Sequence, residues 1–319
     1  MVTSPADPPS GFLVASKPVG ARSTDVVHAV RRCLGRRRVG HCGTLDPLAA
    51  GVLPLAIGRA TRLSEHVLRA PKTYVAAVLF GVQTTTDDLE GDVVAAPRPS
   101  PDVAQVVRLL PRFVGVIRQR PPAASAVRVD GRRAYARARA GEDVTPPERE
   151  VAVHAITPVA RSTVTLAVRE NRLLLEGVEA GRPALVLALE VRCGRGTFIR
   201  SLARDIGETI GCGATLLALV RTAVGPFTLA EAIDLVALRQ ASSAELARLV
   251  HASDVVLDHL PACVVAASDR EDFVHGRDLR AAPGEPGLHR FYDDAGVFLG
   301  VAERADGGWQ KRRVMLAAA

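Results

Sequence analysis

The sequence predicts an α+β fold with a small β-rich domain at its C-terminal end. Apolar, β-branched segments bounded by turns recur along the chain, as at residues 12–16, 52–57 and 72–82. Residues 196–211 carry apolar side chains at helical spacing and end at a glycine. After about Leu260, short segments of strand character alternate with turns rich in glycine and aspartate.

The elements follow one another between recognisable breaks. Strand 12–16 ends at Lys17-Pro18-Val19-Gly20, and Ser23 or Thr24 can cap a helix that ends at Gly35. The triplet Ser100-Pro101-Asp102 predicts a helix with Ser100 as its cap, running to about residue 112. Further helices are predicted after Gly58 and at 134–141, 230–240 and 243–251, with strands at 151–160, 164–170 and 184–193 and a short element at 215–225.

Length and composition indicate a folded protein of two domains. The chain has 319 residues, of which 48% are hydrophobic. We expect a disordered lead at 1–10, a main domain at 11–255 and a second domain at 260–319. No run approaches the roughly 18 apolar residues of a membrane span, and the N-terminal stretch lacks the regions of a signal peptide. We therefore expect a cytoplasmic protein with no membrane partner.

The five cysteines are scattered, and none shows the C-x-x-C spacing of a metal site or a disulfide framework. Their spacing thus supports neither a zinc site nor a disulfide framework, and the sequence shows no cofactor fingerprint. Cys42 lies close to Asp46 and is one candidate nucleophile, for a hydrolase that uses Asp46 with Cys42 or His41. No second carboxylate or oriented triad supports that alternative.

The positive charge is concentrated in two places. Basic residues outnumber acidic ones by 41 to 34, giving a formal net charge of +7. A genome rich in arginine codons would explain the excess, and so would a polyanionic partner, since arginine binds phosphate bidentately. Clustering favours the second explanation. The clusters are Arg31, Arg32, Arg36, Arg37 and Arg38, and Arg128, Arg132, Arg133, Arg137 and Arg139.

The stretch GHCGTLDPLAAGVLPLAIG places one carboxylate, Asp46, in a loop punctuated by glycine and proline. Pro47 restricts Asp46 to an extended backbone, and Gly40 and Gly43 permit close approach of another chain. Such a loop can project a carboxylate at fixed geometry. A plain turn, in which Asp46 bonds its own backbone, has the same pattern.

Three further stretches carry candidate side chains with equally plain alternatives. Tyr74 in KTY could be a core residue, Arg200 in GTFIRS a solvated helix charge, and Leu219 in ALVR a packing residue.

Taken together, these stretches resemble a known family, the TruB family of tRNA pseudouridine synthases. The chain carries that family's motifs in order and at the expected spacing, as GHCGTLDPLAAGVLPLAIGRATRL, KTYVAAVLFGVQTTTDDLEGDV, PPAASAVRVDGRRAYARARAGE and CGRGTFIRSLARDIGETIGCGATL. SKPVGARSTDVV resembles the first motif, and the resemblance covers about residues 11–235. It implies a pseudouridine synthase fold, with a mixed, largely antiparallel central sheet flanked by helices, and a PUA-like RNA-binding domain at 260–319.

The resemblance also implies a reaction. An isomerase of this kind converts the uridine at position 55, in the TΨC loop of tRNA, without a cofactor. The N1–C1′ bond breaks, the base rotates, and C5 joins C1′. Asp46 matches the family's essential acid, whose role as nucleophile at the sugar, nucleophile at C6 or base at C2′ stays open. Arg200 matches the cation that keeps this acid charged where water is excluded.

Other matched positions imply contacts with RNA. Tyr74 matches a tyrosine that stacks on the base and can relay the C5 proton, Phe198 stands where a tyrosine is common, and Leu219 lines the uracil pocket. His41 matches the residue that fills the space left by the flipped base. Lys17 is grouped with the RNA-binding residues, but its motif mainly buttresses the catalytic loop. Phosphate contacts are assigned to Arg38, Arg128 and Arg132.

Departures from the family pattern occur at Cys42, Ala50, Arg22 and Ala124. They affect fine RNA contacts rather than the reaction class. The rival interpretation is a tRNA-binding module or folding chaperone without catalysis. The set of Asp46, Tyr74 and Arg200 argues against it, since binding alone needs no desolvated carboxylate. We expect a monomer whose partner is the T stem-loop of tRNA.

Overall fold

The computed structural model describes residues 10–35, 38–125, 127–129, 131–140, 142, 144–175, 181–275, 277, 285–305 and 308–314. Its strands are β1 (Gly11–Lys17), β2 (Val39–His41), β3 (Ala49–Ile57), β4 (Lys72–Phe80), β5 (Gly115–Gln119), β6 (Arg128–Val129), β7 (Arg132–Arg133), β8 (Arg149–Arg169), β9 (Arg172–Leu174), β10 (Arg182–Cys193), β11 (Ala214–Val224), β12 (Phe227–Thr228), β13 (Ile233–Asp234), β14 (Ala262–Val264), β15 (Gly287–Tyr292), β16 (Phe298–Ala305) and β17 (Gly308–Val314). Its α-helices are α1 (Ser23–Cys33), α2 (Ser64–Arg69), α3 (Val103–Leu109), α4 (Ala134–Arg139), α5 (Ile199–Ile210), α6 (Leu235–Gln240), α7 (Ser243–Arg248) and α8 (Arg270–Val274). Short 3-10 helices lie at Gly58–Leu63, Leu110–Phe113, Leu229–Glu231, Ser253–Leu257 and Ala267–Asp269.

These elements divide into two compact units. The first unit comprises Met1–Pro47, Gly51–Arg69 and Val224–Ala319, and the second comprises Leu48–Ala50 and Ala70–Ala223. Within the described ranges, no helix is long and apolar enough to cross a membrane.

In the first unit, strand β1 lies between β3 and β13. It pairs antiparallel with β3 from Gly11↔Ile57 to Lys17↔Gly51 and parallel with β13. Because side chains alternate along a strand, β1 contributes Leu13 and Ala15 to one apolar cluster and Phe12 and Val14 to another. The first cluster is closed by α1, α6 and α7, and the second by the turns and helices after β3.

In the second unit, the sheet order is β11-β4-β10-β8-β5. Strand β10 pairs antiparallel with β4 on one side and with β8 on the other. In the pair with β4, Lys72 lies opposite Cys193 and Leu79 opposite Val186. Helix α5 buries Ile199, Leu202, Ala203 and Ile206 and ends at Gly211, whose φ of 89° is the left-handed value that glycine adopts readily. The predicted apolar face and glycine stop of this helix are confirmed.

The C-terminal strands form a separate sheet in the order β14-β15-β16-β17. Phe273, Phe291, Leu299 and Trp309 fill its own core. Val301 instead belongs to the cluster that contains Phe12 and Val14. The α+β class, the large mixed sheet and the small C-terminal sheet are thus as predicted. The PUA-like character and the domain boundaries stay predictions.

Several local predictions are wrong. The residues 151–160 and 164–170 belong to one 21-residue strand, β8. The element predicted at 215–225, whose type the sequence left open, is the strand β11. Helix α3 is capped by Asp102, whose carboxylate accepts from the Ala104 N–H, and not by Ser100. The Ser100 hydroxyl instead donates to the Phe80 carbonyl and accepts from the Leu185 N–H, joining two strands of the sheet.

Candidate active site

Asp46 lies in the loop between β2 and β3 of the first unit and is half-buried. Neighbouring backbone groups fix the loop. The buried Ser23 hydroxyl accepts from the Leu45 N–H at 3.0 Å and donates to the Leu45 carbonyl at 3.2 Å. The Cys42 N–H donates to the Pro54 carbonyl at 2.8 Å, and Gly43 has a φ of 115°, which favours glycine. The backbone just before Asp46 is therefore held on both its donor and its acceptor.

The other side of Asp46 is held by the Lys17 motif. Lys17 is fully buried, and its ammonium donates to the carbonyls of Pro18 at 2.9 Å, Ala21 at 2.8 Å and Pro47 at 3.4 Å. The Gly20 N–H also donates to the Pro47 carbonyl, at 2.8 Å. This arrangement fits the buttressing role predicted for Lys17, and it leaves the side chain no exposed surface for an RNA contact.

Arg200, on α5 of the second unit, is buried and bound to a carboxylate that the sequence did not single out. Its guanidinium lies 3.2 Å from Asp88, with the two side chains 5% and 4% exposed. It also donates to the Thr86 and Ala124 carbonyls, each at 3.0 Å. The predicted pairing with Asp46 joins residues of different units and stays a prediction.

A second ion pair ties the same turn to α5. Arg204 lies 2.8 Å from the Asp87 carboxylate and also binds Asp205 and the Arg120 carbonyl. Burial raises the pKa of Asp87 to about 6, although Arg204 and Arg200 oppose this shift. Burial also raises the pKa of Asp205, against the effect of Arg204. The turn that carries Asp87 and Asp88 is therefore anchored to the helix that carries Arg200.

Tyr74 and Leu219 lie on neighbouring strands, β4 and β11. The Thr222 hydroxyl of β11 donates to the Thr73 carbonyl of β4 at 3.3 Å. Tyr74 is half-buried, and Leu219 is 8% exposed. The two predicted base contacts are thus brought onto adjacent strands of one unit.

Phe198 caps the start of α5 and is held by a buried glutamine. The Phe198 N–H donates to Gln119 Oε1 at 2.8 Å, and Gln119 Nε2 donates to the Phe198 carbonyl at 3.1 Å. The Arg149 guanidinium lies 4.8 Å from the centre of the Phe198 ring, a cation–π contact. Burial lowers the pKa of Arg149. The ring is therefore positioned without the phenol hydroxyl that is common there.

The remaining predicted RNA contacts are dispersed. His41 is half-buried on β2, opposite Leu55, and Arg38 is exposed just before that strand. Arg128 and Arg132 are exposed on the hairpin β6–β7, where Arg132 lies 2.9 Å from Glu142. Arg36 and Arg37 of the first arginine cluster lie outside the described residues.

Comparison with known proteins identifies the family. Residues 31–199 match the N-terminal domain of the TruB family pseudouridylate synthases, and residues 200–258 match the C-terminal domain of tRNA pseudouridylate synthase B. The chain belongs to the TruB family.

Similar TruB proteins align over nearly the whole chain. The tRNA pseudouridine synthase B of Burkholderia mallei (strain NCTC 10247) is 39% identical over 316 residues, 97% of this chain and 98% of that protein. The tRNA pseudouridine synthase B of Cupriavidus metallidurans is 37% identical over 313 residues, 96% of this chain and 94% of that protein.

Solved structures share the fold at lower identity. The archaeal box H/ACA sRNP Nop10-Cbf5 complex contains a chain that is 22% identical, with a TM-score of 0.62, covering 92% of this chain and 78% of its own. An H/ACA RNP bound to a substrate RNA containing 2′-deoxyuridine gives 22% identity and a TM-score of 0.64, covering 96% and 84%.

In the described part of the chain, no group of three or more His, Cys, Asp or Glu side chains could hold a metal ion. Cys42 is fully buried in the apolar cluster with Phe12 and Val52. That position suits packing and speaks against Cys42 as the nucleophile of a hydrolase.

Four residues that hold the Asp46 loop, Arg200 and Phe198 in place were not identified as such from the sequence. Asp88 belonged to a stretch interpreted as a polar turn, and Ser23 was considered only as a helix cap. Gln119 and Arg149, which position Phe198, gave no signal at all. An Asp-Asp pair in a turn after a buried strand is only a weak indication of a functional carboxylate. It becomes informative when the structure shows a buried arginine nearby, because a buried charge is costly unless it is paired.

Proposed function

We propose that this chain converts a uridine of tRNA to pseudouridine, and that the target is the uridine at position 55 in the TΨC loop. The observation that carries the proposal is the way Asp46 and Arg200 are fixed. Buried polar groups hold the backbone on both sides of Asp46, and Asp88 holds Arg200. A chain that only binds tRNA needs neither arrangement.

The reaction is an isomerisation that balances without an oxidant. The N1–C1′ bond of the uridine breaks, the uracil rotates, and a C5–C1′ bond forms. C5 gives up its proton, and N1 ends with one. The protein must therefore hold the base and the sugar in place and move protons, which polar side chains can do without a cofactor.

Asp46 supplies the negative charge that the ribose or the base meets, and Arg200 is its cationic partner in a site from which water is excluded. An arginine suits this role because it stays protonated and can bind a carboxylate bidentately. Asp88 keeps the guanidinium from turning away. Attack on the sugar, attack on C6 and proton abstraction at C2′ all use this same carboxylate.

Tyr74 stacks on the flipped uracil and relays the C5 proton, Leu219 packs against the base, and Phe198 gives a second aromatic surface. His41 fills the space that the base leaves. Arg38, Arg128 and Arg132 bind phosphates, which position the RNA without reading its sequence. The protein acts as a monomer in the cytoplasm.

The test is incubation of the protein with an unmodified tRNA transcript, followed by mapping of pseudouridine along the RNA. We expect modification at position 55 alone, and none with Asp46→Asn, while tRNA binding by that variant persists. The Asp46→Asn substitution keeps the side-chain shape and removes the charge. Normal product from the variant refutes the proposed mechanism, and product elsewhere in the tRNA refutes the proposed target. Binding without any product supports the chaperone alternative.

A further inference from the structure

Two buried basic side chains of the second unit have no place in the proposed machinery. Lys72, at the start of β4, is 7% exposed, and Arg221, on β11, is 2% exposed. Burial keeps both charges out of water, so they concentrate positive charge where β4 and β11 run side by side.

Strand geometry puts both cations on the face that carries the predicted base contacts. Lys72 precedes Tyr74 by two residues on β4, and Arg221 follows Leu219 by two residues on β11, so each pair shares a face of its strand. The strands are neighbours, joined by the bond from Thr222 to Thr73. The charge of Arg221 contributes to the lowered pKa of Lys72, which fits a placement of both cations on one face of the sheet.

The charged and titratable groups that affect Lys72 come from β10, from the turn after β10 and from β11. Its ammonium donates to the Ala70 carbonyl at 2.7 Å. Burial, Arg221 and Arg195 lower its pKa to about 8, while Cys193, its register partner on β10, opposes this shift. Burial raises the pKa of Cys193 to about 11, so that thiol stays neutral at pH 8.

We infer that Lys72 and Arg221 form a positive pair behind the uracil, and that this pair stabilises the negative charge left on the base when its N1–C1′ bond breaks. The inference rests on the proposed function. The bonding electrons go to the uracil ring and its two carbonyl oxygens, and the new C5–C1′ bond takes an electron pair back. Lys72 and Arg221 act through their charge and transfer no proton. Preorganised charge in a site shielded from water is an effective source of such stabilisation.

The test compares Lys72→Met with Lys72→Arg under single-turnover conditions with saturating tRNA. We expect Lys72→Met to lower the rate about 100-fold with an unchanged tRNA Kd, and Lys72→Arg to recover most of the loss. The wild-type rate should fall as the pH rises above about 8, where Lys72 loses its proton. Lys72→Arg should lack this fall, since arginine stays charged.

Arg192→Met is the matched control. Arg192 is exposed and adjoins Cys193 on β10, so its side chain points to the opposite face from the Lys72 partner. Its loss should leave the rate unchanged. Any of three results overturns this inference while leaving the proposed function intact. They are an unchanged rate in Lys72→Met, a loss of tRNA affinity in Lys72→Met that accounts for its lower rate, and a fall in rate above pH 8 that persists in Lys72→Arg. A wild-type protein that forms no pseudouridine overturns the proposed function as well. If Lys72→Met does not fold, the wild-type and Lys72→Arg pH profiles still decide.

Discussion

Asp88→Asn is the substitution that tests most directly how the Arg200 side chain is held. It preserves the size of the side chain and removes the charge opposite the guanidinium. The amide can still accept from the Glu90 N–H, a bond that Asp88 Oδ1 makes at 3.0 Å. The turn should therefore keep its shape while Arg200 loses its ion pair with Asp88.

The expected cost follows from the burial of the pair. Both side chains are at most 5% exposed, with 3.2 Å between nitrogen and oxygen. Removing one partner of such a pair typically costs about 3–5 kcal/mol, because a buried charge is left uncompensated. Arg200 keeps its bonds to the Thr86 and Ala124 carbonyls, so we expect the lower end, about 3 kcal/mol. A guanidinium displaced by about 1 Å would in addition lower the rate about 100-fold.

Urea unfolding and single-turnover pseudouridine formation measure the two effects separately. Glu65→Gln is the matched control, since it removes an acid from an exposed i,i+4 pair with Arg69. The Arg69 side chain is 73% exposed and the Glu65 side chain 36% exposed. That change should cost no more than about 0.5 kcal/mol and leave the rate unchanged. If Asp88→Asn matches Glu65→Gln in both assays, Asp88 does not hold Arg200 in the way argued.

Two further predictions concern the catalytic loop and pH. Ser23→Ala leaves the Leu45 N–H and carbonyl without a side-chain partner, so it should lower the free energy of unfolding by about 1–3 kcal/mol and lower the rate at unchanged tRNA Kd. The control is Thr24→Ala, at the exposed neighbouring residue. Equal rates in the two variants would contradict the role of Ser23. Burial raises the pKa of Asp87 to about 6 from 3.8, so between these values the folded state holds a proton that the unfolded chain has lost. This group should make the free energy of unfolding rise as the pH falls from 6 to 4, and the difference between wild type and Asp87→Asn, followed by urea unfolding over that range, should show the slope; a constant difference would exclude it.

The sequence revealed the elements whose signals are local. The apolar spacing of α5 and its stop at Gly211 lie within one segment, and so does the strand character of β1 and β4. Strand β8 was predicted as two strands, 151–160 and 164–170, because the polar residues at 161–163 interrupt its apolar character. Pro158 lies within the first of these two segments. The structure accommodates Pro158 where the register with β10 shifts, between Ala188 and Leu189, and an irregularity of this kind is one of the places where a strand tolerates proline. Such a shift depends on the partner strand and leaves no mark near Pro158.

The same distinction applies to the site. Asp46 could be found because glycine and proline surround it in one loop. The Ser23 bond to Leu45 spans 22 residues, and the Arg200 bond to Thr86 spans 114. Spacing carries no information about partners at such separations, so the groups that hold Asp46 and Arg200 became visible only in the fold. Motif resemblance supplied the reacting side chains, and packing supplied their supports.

The packing of the C-terminal sheet determines how a role of this sheet in RNA binding can be tested. Its strand β16 sends Val301 into the cluster that contains Phe12 and Val52, and the Tyr292 hydroxyl donates to Asp254 at 2.7 Å. Deleting the chain after Leu260 would uncover that cluster, including Val256 and Leu257 beside it. A weaker affinity for tRNA after such a deletion could then arise from a loosened core near β1 and not from lost RNA contacts. A role of this C-terminal region in RNA binding is therefore better tested by substituting exposed basic side chains, such as Arg277 after α8, whose side chain is 63% exposed. Such substitutions leave the shared core intact.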